Sequence, residues 1–400
     1  MPDQPELPFT AAPTESSGAM SAASSVNAMP GLSSSPLRAA EFFAGIGLVR
    51  MALQRVGIDV VWANDIEPIK ERIYSENFGG EDFRLGDVRQ LRGSDLPDVD
   101  VATASFPCTD LSLAGWRRGL AGSGSGMFWE FARVLQEMGD RRPQAILLEN
   151  VPGFATSHGG ADLRAAVECL NELGYWCDLL QVDAKHFLPQ SRPRMFVVGM
   201  LECVAEPAVR PDAVRPRHLV DFMTAHSDLM LQSPGLPPLS ASENDFATVV
   251  ERFPADAAEW WDAGRTTKFL SSLAPLQEER LRGLRAAPTV SWRTAYRRTR
   301  AGVAVWEVRA DAIAGCLRTA RGGSSKQAVV EAGRGEVRVR WMIAREYGRL
   351  QGVPDAFGFE SVSDNQAMFG FGDAVCVPAV EWVARHYLRA IALTPVAQAS

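Results

Sequence analysis

The stretch Glu41-Phe42-Phe43-Ala44-Gly45-Ile46-Gly47 (residues 41–47) decides the fold class of this 400-residue chain. It ends the apolar run 37–43, which predicts a strand, and it precedes a segment that predicts a helix. Glycines at such a turn let the backbone bend tightly and approach a ligand closely. The motif alone fits a cofactor-binding loop and an ordinary strand-to-helix turn equally well.

Outward from this turn, short apolar runs alternate with helical stretches. Strands are predicted at 37–43, 60–63, 99–104, 145–148 and 195–200, and helices at 51–56, 68–77, 127–138 and 163–173. Alternation of this kind is typical of an α/β fold, with a mainly parallel sheet covered by helices on both faces.

Composition and the alternation of strands and helices divide the chain into five parts. Residues 1–36 are rich in Ser, Ala, Pro and Met and predict a disordered tail. Residues 37–200 form the predicted catalytic and cofactor-binding domain. The Pro- and Gly-containing segment 201–340 breaks the alternation and predicts a second, smaller domain. Residues 341–393, with a final helix in 375–392, return to complete the first domain, and 394–400 form a short tail.

The charge distribution is uneven. The net charge is −7, yet residues 281–350 contain 15 arginines or lysines and 5 acidic residues, a local charge of +10. Such a block suits a polyanion-binding face, and a solvated surface explains it equally well.

Several classes of protein and site are disfavoured. No C-x-x-C pair or disulfide framework is present, so we expect no structural zinc and a reducing, cytoplasmic environment. No apolar run of about 20 residues and no secretory signal are seen, so we expect no membrane contact.

Two acidic residues suit the ends of an adenosine-like ligand. Asp65 lies about 20 positions after the first turn, at the end of the next strand, where an acid suits ribose hydroxyls. Asp87 follows the next short strand and is similarly placed for an adenine amino group. Each could instead be a turn former or a helix cap.

Three further motifs follow strand ends or precede a strand. Cys108, in Phe106-Pro107-Cys108-Thr109, is a candidate nucleophile, although most cysteines are simply buried. Glu149, in Glu149-Asn150-Val151, would be costly to bury without a role. Arg192 and Arg194 stand at alternate positions, so they share a face and could clamp a carboxylate or a nucleotide.

Six motifs in this order resemble those of the cytosine-5 DNA methyltransferase family, of the bacterial restriction–modification type, over about residues 38–392. They are Phe43-Ala44-Gly45-Ile46-Gly47, Pro107-Cys108, Glu149-Asn150-Val151, Gln190-Ser191-Arg192-Pro193-Arg194, Arg345-Glu346 with Arg349-Leu350-Gln351-Gly352, and Gly372-Asp373-Ala374-Val375. An ordered set is far more specific than any single motif.

The resemblance implies a Rossmann-like methyltransferase fold, S-adenosylmethionine as cofactor and a flipped cytosine in double-stranded DNA as substrate. It implies Cys108 as nucleophile, Glu149 as the donor to the base, Arg194 as its orienting partner and Arg192 as a neighbour in the active site. It places the cofactor at Phe43, Gly45, Gly47, Asp65, Ile66, Asp87, Val88, Pro107 and Ala374.

The basic block then becomes the expected DNA contact. Arg293, Arg297, Arg298 and Arg300 suit phosphates, while Arg318 and Arg321, beside Gly322-Gly323, suit base reading. The target-recognition domain is therefore predicted at 201–340. We expect a monomer, with a cognate restriction endonuclease as a possible but not physically required partner.

Two residues depart from the family pattern: Thr109 stands where Gln is common, and Asp373 where Asn is favoured. Three alternatives remain: a tRNA cytosine-5 methyltransferase, a non-catalytic DNA-binding homologue and a folate-dependent methyltransferase. The long middle segment disfavours the first, the retained catalytic residues disfavour the second, and the two aspartates favour an adenosine cofactor over folate.

Overall fold

The computed structural model describes residues 36–106, 126–208, 210–240, 242–300, 302–318 and 326–389. Both predicted tails, apart from Pro36, therefore lie outside the described residues, as does the segment that carries Cys108. Within the described ranges the secondary structure forms two sheets with helices packed against them.

The large sheet has seven strands in the order β3-β2-β1-β4-β5-β7-β6. Its strands are β1 (Leu37–Phe42), β2 (Ile58–Asp65), β3 (Phe83–Leu85), β4 (Val101–Ala104), β5 (Ala145–Asn150), β6 (Trp176–Asp183) and β7 (Pro193–Met200). The first five are parallel neighbours, and β7 runs antiparallel to both β5 and β6. The predicted mainly parallel sheet is confirmed.

Helices cover both faces of this sheet. They are α1 (Leu48–Gln54), α2 (Pro68–Phe78), α3 (Met127–Met138) and α4 (Ala161–Glu172). Apolar side chains of α1 and α2 join one buried cluster, and those of α3 and α4 join the cluster on the other face. The strands between them are apolar almost throughout because both of their faces are buried.

Strand β6 was not predicted from the sequence, because it begins Trp176-Cys177-Asp178 and an acidic residue there is atypical of a buried strand. Asp178 is fully buried and accepts a hydrogen bond from Arg215 Nε at 2.9 Å and one from Tyr387 Oη at 2.9 Å. These two partners offset the cost of burying the carboxylate.

The middle of the chain supplies the second sheet, which is antiparallel with the order β11-β10-β8-β9. Its elements and the helices before it are α5 (Arg217–Ala225), α6 (Ala263–Ser271), α7 (Pro275–Ala286), β8 (Ser291–Arg300), β9 (Val303–Val308), β10 (Ala328–Gly333) and β11 (Glu336–Trp341). Leu219 and Met223 of α5 pack in a cluster of the large sheet, whereas Phe269 of α6 and Leu281 of α7 pack with the small one.

The chain then returns to the large sheet through α8 (Ala344–Gln351), α9 (Asp364–Asp373) and α10 (Val377–His386). A fully buried ion pair joins the two units: Arg340 Nη1 of β11 lies 2.9 Å from Glu346 Oε2 of α8. The stretch Asp364–His386 has the length and apolar composition of a membrane span, but 67% of it is buried inside the protein. Packing in the core accounts for that composition.

One buried carboxyl in the large sheet has no hydrogen-bond partner of normal geometry among the described residues. Glu41 of β1 lies opposite Thr103 of β4, whose hydroxyl also lacks a partner there. Burial raises the pKa of Glu41 from 4.5 to about 8, against the opposing effect of the nearby Arg50 charge. The folded protein therefore holds this carboxyl protonated at neutral pH.

This shift predicts a pH dependence of stability. The native state holds the Glu41 proton between about pH 4.5 and pH 8 while the unfolded chain releases it, so stability falls as pH rises through that window. We expect Glu41→Gln to remove a decline on the order of a few kcal/mol, measured by urea unfolding at pH 5 and pH 8. If both proteins lose the same stability over this range, Glu41 does not carry the proton.

Candidate active site

One cavity of about 840 Å³ lies at the carboxyl ends of the central parallel strands, where α/β sheets bind ligands. Its wall is built by the turn after β1, the ends of β2 and β5, the start of β7, the segment 316–318 and the residues after α9. Four of the six sequence motifs, those that contain Gly45, Glu149, Arg194 and Asp373, therefore meet here with the segment 316–318 from the middle of the chain.

Glu149 and Arg194 face each other in this cavity. Arg194 Nε lies 2.9 Å from Glu149 Oε1, and the two side chains are 14% and 12% exposed. The pairing follows from the fold, because Glu149 of β5 sits beside Phe196 of the antiparallel β7. Burial raises the pKa of Glu149, although the Arg194 and Arg192 charges act to lower it.

The strand that leads to Cys108 lies directly beside Glu149. Ala104, at the end of β4, pairs with Leu148 of β5 in parallel register. Asn150 Nδ2 donates to the carbonyl oxygen of Phe106 at 3.1 Å, which ties the two strand ends together. Pro107, Cys108 and Thr109 themselves lie outside the described residues. Strands β4 and β5 are therefore neighbours, and the segment that leads to Cys108 begins beside Glu149.

Arg192 is 1% exposed and its guanidinium contacts backbone from two other segments. Nη1 donates to the carbonyl oxygen of Leu317 at 2.9 Å, and Nη2 donates to those of Gly372 at 3.1 Å and Ala374 at 2.6 Å. Arg192 thus holds the connection between β9 and β10 against the end of α9 and the residue that follows it, and both segments line the cavity.

Cys316 stands between the two arginines. Its Sγ lies 3.5 Å from Arg192 Nη1 and 3.8 Å from Arg194 Nη2. This residue was missed in the sequence analysis, where the signal was its position two residues before Arg318 in a segment already singled out. Arg318 itself is exposed and lines the same cavity, while Arg321 lies outside the described residues.

The turn after β1 has the backbone geometry that a close ligand requires. Phe43 and Gly45 both have positive φ, 55° and 59°. A side-chain carbon placed on Gly45 would meet no atom nearer than the Phe43 oxygen at 4.0 Å, so this glycine opens onto the cavity. A carbon on Gly47 would lie 2.4 Å from the Phe78 ring, so Gly47 serves packing of the turn against α2.

Asp65 is held in position by two backbone amides. Its Oδ2 accepts from Gly45 N at 2.9 Å and its Oδ1 accepts from Glu67 N at 3.0 Å. Each carboxylate oxygen has a second lone pair for a ligand hydroxyl. Ile66, which follows it, is 56% exposed and lines the cavity, where it offers an apolar face.

The remaining predicted cofactor residues divide between the cavity wall and its surroundings. Ala374 lines the cavity. Asp87 and Val88 are not among its lining residues: Asp87 caps a short 3₁₀ turn by accepting from Arg89 N at 3.0 Å, and Val88 is 3% exposed. The turn-forming alternative for Asp87 therefore has direct structural support, and its contact with a cofactor stays a prediction.

The four arginines of β8 do not share one face. Side chains alternate along a strand, so Arg293 and Arg297 lie on the face of the buried Ala295, and Arg298 and Arg300 on the face of Tyr296. Arg297 is exposed, while Arg300 Nε lies 2.9 Å from Glu307 Oε1. Arg298 stacks over the Tyr296 ring at 4.6 Å.

Comparison with known proteins decides the family. A family model described as "C-5 cytosine-specific DNA methylase" matches residues 37–389, which include both sheets and the whole cavity. The chain belongs to this family. It is a DNA cytosine-5 methyltransferase that uses S-adenosylmethionine, as the motif resemblance implied.

Two relatives from this DNA methylase family match over most of their length. The chain is 28% identical to the Type II methyltransferase M.NgoBI of Neisseria gonorrhoeae over 85% of this chain and 90% of that protein. It is 28% identical to M.DsaV of Dactylococcopsis salina over 90% of this chain and 88% of that protein.

Solved structures support the methylase fold. The crystal structure of S. pombe Dnmt2 methyltransferase aligns with a TM-score of 0.59 and 18% identity, covering 89% of this chain and 99% of that one. A DNMT2 structure from Spodoptera frugiperda aligns with a TM-score of 0.57 and 16% identity, covering 90% and 100%. At these identities the similarity shows the fold alone.

The cavity of this methylase fits the cofactor of its family. A glycine that opens onto the cavity, a carboxylate oriented by two amides and an exposed apolar side chain are what an adenosine moiety requires. Gly45, Asp65 and Ile66 provide these three features on one wall, and Glu149 lies on another wall of the same cavity. A bound cofactor and a target base could therefore meet inside it.

Proposed function

We propose that Cys108, Glu149 and Arg194 carry the methyl transfer, within a DNA (cytosine-5-)-methyltransferase acting on double-stranded DNA. One observation carries the assignment. The Glu149–Arg194 pair lies in the cavity that contains the cofactor turn, beside the strand end that leads to Cys108. A carboxyl with a raised pKa next to an opened base can act as a proton donor.

The proposed reaction proceeds through a covalent adduct between Cys108 and the target cytosine. The Cys108 thiolate adds to carbon 6 of cytosine, forming the S–C6 bond, while Glu149 donates a proton to N3 as electron density moves into the ring. S-adenosylmethionine, when bound, would supply the electrophilic methyl group that carbon 5 attacks and would be released as S-adenosylhomocysteine. A base, which we take to be water, then removes the carbon 5 proton, the C5–C6 double bond re-forms, the Cys108 thiolate leaves, and N3 returns its proton to the Glu149 carboxylate.

Arg194 and Arg192 have different proposed parts in this reaction. Arg194 holds the Glu149 carboxyl in one orientation and faces the base. Arg192 is a positioning residue, because its guanidinium donates to the backbone of Leu317, Gly372 and Ala374 instead of pointing at Glu149. Through those contacts it would set the distance between the cofactor wall and the connection between β9 and β10.

The small sheet and its helices are the proposed target-recognition domain. Packing favours a boundary later than the predicted residue 201, because Val214, Leu219 and Leu231 all belong to clusters of the large sheet. The cluster of the small sheet takes its members from 261–341, a range that includes most of the basic block, although Trp292, Ala314 and Val329 of this range pack in a cluster of the large sheet. Exchange of this segment with that of a relative should transfer the recognised site.

The named relatives are Type II methyltransferases, which supports a role in a restriction–modification pair. We propose a cytoplasmic monomer that needs no bound endonuclease for activity.

The function is tested by mapping 5-methylcytosine at base resolution in DNA and in tRNA from a host that lacks its own cytosine methylation. We expect methylation at one short DNA sequence and none in tRNA. Methylation confined to tRNA would overturn the choice of substrate, and unmodified nucleic acids with a folded, cofactor-binding protein would favour a non-catalytic homologue.

The arginines of β8 give a matched pair for DNA contacts. Arg297 is exposed with no ion pair among the described contacts, while Arg300 is held by Glu307. We expect Arg297→Gln to lower the salt dependence of DNA affinity by about one phosphate contact, and Arg300→Gln to lower it by less. Titrations at several salt concentrations measure both slopes. Equal slopes in both variants and the wild type would place the DNA elsewhere.

A further inference from the structure

An ion pair between Lys70 and Asp373 lies in the wall of the candidate cofactor cavity. Lys70 Nζ of α2 lies 3.4 Å from Asp373 Oδ2 at the end of α9, and the side chains are 23% and 42% exposed. Both residues line the same cavity as Gly45 and Asp65. Asp373 is one of the two departures from the family pattern, and Lys70 belongs to none of the six motifs.

Both members of the pair stand on helices that contact the turn after β1 or follow directly after Asp65. Lys70 follows Glu67, whose amide binds Asp65, by one helical turn. The end of α9 packs on the turn after β1, since a side-chain carbon on Gly370 would lie 2.8 Å from Ile46. Ile46 and Gly370 belong to the face of the sheet covered by α1 and α2, whereas Phe43 packs with the opposite cluster.

Two opposite charges held close together match a ligand with two opposite charges. S-adenosylmethionine has such an end, an α-amino acid with one ammonium and one carboxylate. The lysine ammonium suits the carboxylate, and the aspartate suits the α-ammonium. Asparagine at position 373 would supply a hydrogen bond but no charge, so it could not neutralise Lys70 before the cofactor binds.

We propose that Lys70 and Asp373 together select the zwitterionic amino-acid end of the cofactor, with Lys70 binding its carboxylate. This inference rests on S-adenosylmethionine as the cofactor. In the free protein the two residues neutralise each other, and on binding each exchanges its partner for the oppositely charged group of the ligand. The amino-acid end therefore adds no net charge to the pair.

The test compares ligands with and without this end by calorimetry. S-adenosylhomocysteine has the amino acid, whereas 5′-methylthioadenosine lacks it. We expect Lys70→Met to weaken S-adenosylhomocysteine by roughly 10-fold, the lower end for a charge-assisted hydrogen bond at a partly exposed site, and to leave 5′-methylthioadenosine unchanged. Arg217→Met, which removes an exposed ion pair with Asp221 on α5 outside the cavity lining, is the matched control and should change neither affinity.

Decarboxylated S-adenosylmethionine separates the two charges. Its affinity should not fall in Lys70→Met, which removes a cation that competes for Asp373, and should fall in Asp373→Asn. Equal weakening of 5′-methylthioadenosine in Lys70→Met, or an unchanged affinity for S-adenosylhomocysteine, would overturn the proposal. A wild-type protein that binds none of these adenosine ligands would instead overturn the cofactor assignment, so the two failures are distinguishable.

Discussion

A Cys108→Ser variant will bind DNA with near wild-type affinity and transfer methyl groups at background level. Serine keeps the size of the side chain, but its hydroxyl is a far weaker nucleophile than a thiolate at neutral pH. The proposed phosphate contacts lie on β8, in another part of the chain, so affinity should persist. The measurements are transfer of a labelled methyl group and DNA binding on the same preparation.

Trapping makes this result specific for the covalent step. With 5-fluorocytosine at the target, the last step has no carbon 5 proton to remove, so the wild-type protein should stay attached to DNA under denaturing conditions. Cys108→Ser should leave no such complex. Cys203→Ser, at an exposed cysteine, is the control and should trap normally. A trapped complex or near wild-type turnover in Cys108→Ser would assign the nucleophile to another residue.

A Glu149→Gln variant will lose about 10²- to 10⁴-fold in kcat, the range for a lost general acid, with a smaller change in the KM for DNA. The pH profile gives the sharper test. Because burial raises the pKa of Glu149 and the protonated form is the donor, wild-type kcat should fall as pH rises through that pKa. Glutamine has no proton to lose, so the variant's remaining activity should lack this alkaline decline.

Arg194 provides an independent check on the same carboxyl. Its charge acts to lower the pKa of Glu149, so Arg194→Met should move the alkaline decline of kcat to higher pH while it reduces the rate. A decline that stays at the same pH in Arg194→Met, or that persists in Glu149→Gln, would mean that another group titrates.

Much of the fold could be read from local patterns. The apolar runs at β1, β4, β5 and β7 were predicted within a few residues, because strands buried on both faces are continuously apolar. Helix α3 was predicted with its observed bounds, Met127–Met138. Strand β6 was not predicted, because its buried Asp178 is paired with Arg215, which lies 37 residues later in the chain.

In the candidate site, too, some residues could be predicted from local sequence and other contacts could not. Local sequence sufficed for Glu149, Asp65 and the turn after β1, because strand ends and glycines at turns have recognisable residue types. Local sequence could not show that Arg192 donates to backbone carbonyl groups while Arg194 pairs with Glu149. Two arginines on one face of a strand are equivalent in the sequence. Nor could it show that Arg300 is paired with Glu307 across a hairpin.

The sequence by itself determined the α/β class, the family and the chemistry, since these depend on residue types in a fixed order. The tertiary structure decided which groups meet. Cys316 reaches the two arginines from the small sheet, and Lys70 meets Asp373 across 303 positions of chain. Such contacts depend on how separate elements pack, and burial then sets the charge state, as it does when it raises the pKa of Glu149.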